Sequence, residues 1–119
     1  MEKQKYKYII SICIVCNDNF KNLNEYEDYL GVYDSLSEAQ EGIRNVWKLQ
    51  SNELKNSWEE NNIFYEEFNF TFDTINNKLK GNEIAEDLKN KEAIVYFKKD
   101  DKVIFEWVFS IRPIPYKPF

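Results

Sequence analysis

Asp34-Ser35-Leu36-Ser37-Glu38-Ala39-Gln40 is the stretch that decides the fold of this 119-residue chain. Ser35 with Glu38 three residues later is a capping box: the serine oxygen takes a free amide of the first turn, and the glutamate reaches back to the cap. Beyond it Leu36, Ala39, Ile43, Val46, Trp47, Leu49 and Leu54 recur at helical spacing. The spacing predicts a helix from Leu36 to about Ser57, with Trp58-Glu59-Glu60-Asn61-Asn62 as its end. Gly42 inside it costs about 1 kcal/mol relative to alanine, and marks a place where the helix can approach a sheet closely.

Strand signals flank this helix on both sides. Tyr6 to Cys16 is rich in Ile, Val and Tyr and apolar on both faces, which suits a central strand covered on both sides. Asn17 to Glu25 reads as a polar loop, and Tyr26 to Tyr33 as a second strand. After the helix, Phe68, Phe70 and Phe72 alternate with Asn69 and Thr71, the pattern of a half-buried strand. Asn76 to Lys91 is polar, with Ile84, Ala85 and Leu88 marking a short helix. Ala93 to Phe97 and Val103 to Ile111 pair as a hairpin about the charged turn Lys98-Lys99-Asp100-Asp101-Lys102. Val103, Phe105, Trp107, Phe109 and Ile111 share one face of it. Pro113 ends that strand, and residues 112–119 continue as an extended tail that packs back on the sheet.

Residues 1–119 make one domain, with no internal repeat and no linker composition. The order of elements argues for an α+β fold: an antiparallel sheet of about five strands with one long helix packed on one face. Ile43 and Trp47 are expected against the face formed by Phe105, Trp107 and Phe109. Seventeen Tyr and Phe residues make large rings, rather than aliphatics, the main packing material.

The junction Gly31-Val32-Tyr33-Asp34-Ser35-Leu36-Ser37-Glu38-Ala39 resembles one found in many small uncharacterised bacterial and phage α+β proteins. In those, a short strand ends in Gly-Val-(Tyr or Phe) and passes through a capped Ser-x-x-Glu-Ala into the helix. The resemblance covers about a tenth of the chain and brings no active site with it. It implies a small accessory protein of a bacterium or mobile element.

Charge is divided along the chain. Asn22 to Asn77 holds twelve acids against the three bases Arg44, Lys48 and Lys55, a net −9, while the two ends together carry +4. Glu25, Glu27, Asp28, Tyr29 and Tyr33 lie in one acidic, tyrosine-bearing segment. Glu59, Glu60, Tyr65, Glu66 and Glu67 lie in another. If the two strands concerned fall on the same side of the sheet, they merge into one acidic surface. Such a surface attracts basic proteins and repels phosphate backbones. The expectation is a non-enzymatic protein-interaction module with a basic, nucleic-acid-handling partner, such as a phage or mobile-element inhibitor or a toxin-immunity protein. One alternative is a small enzyme or ligand-binding domain that uses an aromatic sheet face. A second is single-stranded nucleic-acid binding through Lys3, Lys5, Lys7, Tyr6 and Tyr8, where lysines alternate with stacking rings; the sequence pI near 4.8 argues against it.

Chemistry has little to work with. The chain contains no histidine, which removes the commonest general base and the usual nucleophile–base pairs. Cys13 and Cys16 form a C-x-x-C, but in a strand an odd offset sends the two side chains to opposite faces, so they are expected reduced, buried and structural. Glu66 and Glu106 could form a carboxylate pair of the glycosidase kind, with a solvated face as the simpler reading. Asn17-Asp18-Asn19 lacks the glycine and the terminal glutamate of a calcium loop. No catalytic residue, metal ligand or cofactor is therefore expected. The apolar run Ile9 to Cys16 follows three lysines as a secretion signal would, but Ser11 interrupts it and no small-residue cleavage site follows. A cytoplasmic protein outside the membrane is expected.

Overall fold

The computed structural model describes residues 5–16, 26–72 and 91–116. Among these, five strands and one long helix make an α+β fold. The elements run β1 Lys5–Cys16, β2 Tyr26–Tyr33, α1 Leu36–Glu60, β3 Phe64–Phe68, β4 Glu92–Lys99 and β5 Lys102–Tyr116. The sheet is antiparallel throughout, in the order β2-β1-β5-β4-β3. The two longest and most apolar strands, β1 and β5, lie in the interior of the sheet. The short, acid-bearing strands β2 and β3 take its opposite edges.

The serine half of the capping box forms. Ser35 is extended, at φ −136° and ψ 157°, and its side chain accepts from the Glu38 amide at 3.2 Å. The helix runs three residues past the expected end, to Glu60, because Trp58 is drawn into the core. There α1 packs on one face of the sheet. Ile10, Ile12, Ala93, Val95, Phe97, Trp107, Phe109 and Ile111 rise to meet Ala39, Ile43, Trp47 and Trp58. Trp47 is the hub. Its ring lies 5.9 Å from Trp58, 5.8 Å from Trp107, 6.3 Å from Phe97 and 6.5 Å from Phe109, mostly edge-on. Leu49 and Leu54, placed by their spacing on the apolar stripe, are exposed instead.

Gly42 does what its position suggested. A Cβ there would sit 2.5 Å from the Tyr33 hydroxyl oxygen, so the ring of Tyr33 occupies the space that a side chain would fill.

Four expectations about elements change. The alternating phenylalanines do not form a strand: β3 lies earlier, at Phe64–Phe68, and the chain then turns through Asn69 at φ 65° and Phe72 at φ 53°. Asparagine tolerates that left-handed backbone, and Phe72 is repaid by complete burial under the Arg44 guanidinium, 5.3 Å from its ring. Next, β5 does not end at Pro113 but pairs with β1 as far as Tyr116, with Tyr8 opposite Pro113 and Tyr6 opposite Pro115. Pairing with β4 stops at Ser110, and beyond that point no strand among the described residues pairs with the other side of β5. On an edge a missing amide costs no ladder bond. A register shift between Phe97 and Lys98 also breaks the alternation, so that Ile104 rather than Val103 packs against the core beside Phe105. Finally, Cys13 and Cys16 are not buried: the first is half-buried and the second exposed. The register sets Cys13 beside Val108 and Cys16 beside Phe105, on opposite faces. The short helix expected around Ile84 lies outside the described residues.

Candidate functional site

The acidic residues singled out by sequence occupy two separate edges. With β2 first and β3 last in a five-stranded sheet, four strand spacings part them, about 19 Å. The single merged surface is therefore not formed.

At one edge, the last turn of α1 leads directly into β3. Asn61 caps the helix and donates through Nδ2 to the Ser57 carbonyl at 2.7 Å. Asn62 follows in the left-handed region at φ 58° and donates to the Glu59 carbonyl at 3.1 Å. The Ile63 amide closes the turn on the Trp58 carbonyl at 2.8 Å. This tight reversal holds Glu59 and Glu60 beside β3. Both are exposed, and neither makes an ion pair among the described residues. The last helical turn carries no base, so these carboxylates add to the negative end of the helix dipole instead of offsetting it.

All five residues of β3 are exposed, and alternation divides them. Tyr65 and Glu67 lie on the helix side. The Tyr65 ring is 5.2 Å from Trp47 and 5.7 Å from Trp58, and Glu67 Oε1 accepts from the Trp47 indole Nε1 at 2.7 Å. Phe64, Glu66 and Phe68 take the opposite face. There Lys98 Nζ donates to Glu66 Oε2 at 2.6 Å, and the Phe68 ring lies 6.4 Å from Tyr96. The Glu66 hydrogen bond and its negative charge raise the Lys98 ammonium above its ordinary range. Phe64 and Phe68 are 68% and 57% exposed, unusual for such large rings on a strand.

The β2 edge is less uniform. Asp28 is exposed, and Tyr29 is 64% exposed. Tyr33 is not a surface tyrosine: it is half-buried against Gly42 and packs on the core. Asp34 is paired with Lys7. Glu27 stands opposite Cys13 in the β1–β2 ladder, and Glu25 lies outside the described residues. A register shift between Ile10 and Ser11 interrupts this ladder, whereas the β3–β4 ladder runs without one.

Two further features belong to the alternatives. An open groove of about 590 Å³ is lined by Lys5, Tyr6, Lys7, Tyr8, Asp34, Ser35 and Leu36, while Lys3 lies outside the described residues. Glu66 and Glu106 share one row of the sheet, with Tyr96 between them. The aromatic sheet face proposed for a ligand is filled by Trp47 and Trp58 of α1. Among the described residues no group of acids and cysteines could hold a metal ion, and no helix is long and apolar enough to cross a membrane.

Sequence reasoning missed the Glu67–Trp47 bond, because it placed the strand too late for Glu67 to face α1. It also treated Glu66 as an unpaired acid; nothing local signals that Lys98 is brought beside it by the β3–β4 register. No protein-family model matches this chain, and no curated protein or solved structure matches it either.

Proposed function

We propose that this chain is a non-enzymatic interaction module that binds a basic protein through the β3 edge and the last turn of α1. One observation carries the reading: Glu66 and the exposed rings of Phe64 and Phe68 share one face of a strand with no second partner among the described residues, and the exposed Glu59 and Glu60 end the helix that leads into it. Carboxylates steer a basic surface into register, and aromatic rings supply contact area at small entropic cost. An inhibitor or immunity protein directed at a nucleic-acid-handling protein would use such a surface, since its target's basic face is built for phosphate.

The test is affinity capture from the source cell with wild-type bait and with a Glu59→Lys/Glu66→Lys bait. The reading expects a stoichiometric basic protein on the wild type, released by salt and lost from the variant. Identical captured proteins on both baits, or none at stoichiometry, would contradict it. The groove lined by Lys5, Tyr6, Lys7 and Tyr8 favours single-stranded nucleic acid as a second reading. Asp34 in its wall, paired with Lys7, weakens that reading by placing a carboxylate where phosphate would lie.

A further inference from the structure

We infer that the β3 edge takes its partner as a sixth strand: an extended basic segment that pairs with Phe64–Phe68 through the backbone. The inference rests on the proposed acidic docking surface and specifies how it is used. β3 pairs with β4 on one side, and among the described residues no strand pairs with its other side. An edge strand presents a row of amides and carbonyls ready to extend the ladder, and proteins usually blunt such edges with short strands, charged side chains, prolines or bulges. The β2 edge is blunted by the register shift opposite Ile10 and Ser11. By contrast β3 is short and carries Glu66 and Glu67, which turn away acidic strands, but it has an unshifted ladder, no proline and two exposed phenylalanines.

Charge selects the occupant. A second copy of the chain pairing antiparallel over all five residues would set Glu66 directly opposite its own counterpart, with Glu59 and Glu60 of both copies close by. Like charges directly opposed across a ladder are destabilising, and the Lys98 ammonium on each Glu66 offsets that only in part, since Glu59 and Glu60 make no ion pair among the described residues. A strand with a lysine opposite Glu66, an arginine opposite Glu67 and aliphatic residues opposite Phe64 and Phe68 reverses that effect and covers both rings. Backbone bonds supply affinity in this mode, and alternate side chains supply selectivity.

The probe is the labelled peptide acetyl-Thr-Val-Arg-Lys-Thr-Val-Thr-amide, with two forms N-methylated on alternate amides in opposite phase. Only alternate amides of an added strand point at the edge it joins. The unmodified peptide should therefore bind the full chain and one methylated phase should bind as well, while the other loses about tenfold or more in affinity. Glu66→Lys should weaken binding about tenfold and Glu66→Gln less, with circular dichroism unchanged because Glu66 is exposed. Equal binding by both methylated phases would overturn strand addition while leaving a purely electrostatic acidic surface intact. No binding by any form, or binding indifferent to Glu66→Lys, would also overturn it. So would light scattering that shows a dimer whose formation excludes the peptide.

Discussion

Glu66 and Glu67 are neighbours in sequence with opposite duties, and this separates two kinds of acid that composition treats alike. Glu67 satisfies the indole N–H of a tryptophan that is 5% exposed. Glu67→Ala should cost about 1–3 kcal/mol in chemical denaturation, because it leaves a buried donor unpaired, while Glu67→Gln keeps an acceptor and should stay near wild type. Glu66→Gln should leave the denaturation midpoint close to wild type, because the pair it breaks is exposed. The pH dependence of that pair has a definite sign. Lys98 is raised above its ordinary 10.5 chiefly by the bond to Glu66, so its stabilising effect is complete below about pH 10.5 and disappears as the pH rises through the raised value. Gly42→Ala provides a third check. Helix propensity alone predicts a gain of about 1 kcal/mol. The Tyr33 hydroxyl 2.5 Å from the new methyl should turn that into a loss of about 1–3 kcal/mol, measured as a lowered denaturation midpoint.

At the scale of elements, α1 was legible because its signals are local: the cap, the spacing of Ala39, Ile43 and Trp47, and the glycine. Truncating its hub by Trp47→Ala should cost about 3–5 kcal/mol, since the ring meets Trp58, Tyr65, Phe97, Trp107 and Phe109; a loss below half a kcal/mol would remove the helix from this face of the sheet. The hairpin of β4 and β5 was legible for the same reason, as two apolar runs about a charged turn. By contrast β3 was misplaced. Phe68, Phe70 and Phe72 alternate as a strand does, but Asn69 and Phe72 adopt positive φ, and tertiary partners decide that conformation. Arg44 Nε donates to the Phe70 carbonyl at 2.7 Å, and Asn69 Nδ2 donates to the Glu92 carbonyl at 2.7 Å. These bonds span 26 and 23 residues, a range over which periodicity is silent.

Across the whole molecule, the fold class followed from the order of elements, but strand order did not, and strand order decides the candidate site. The acidic segments around Asp28 and Glu66 look continuous in charge along the chain. They are parted because β1, β5 and β4 fill the positions between them. Edges go to short polar strands for a physical reason, since a central strand must bury both its sides. A partner that uses the β3 edge should therefore be insensitive to Asp28→Lys and sensitive to Glu59→Lys/Glu66→Lys, with the difference largest at low salt. Stopped-flow association in a salt series reads this directly. Equal slowing by both variants would mean a partner that spans both edges.

The most direct test of the account is hydrogen–deuterium exchange of the full chain, free and bound to its captured partner. Docking by strand addition predicts slowed exchange at residues 64–68, with residues 26–33 and the 5–8 groove unchanged. Protection confined to the β2 edge or to the groove, with 64–68 exchanging as in the free protein, would contradict it.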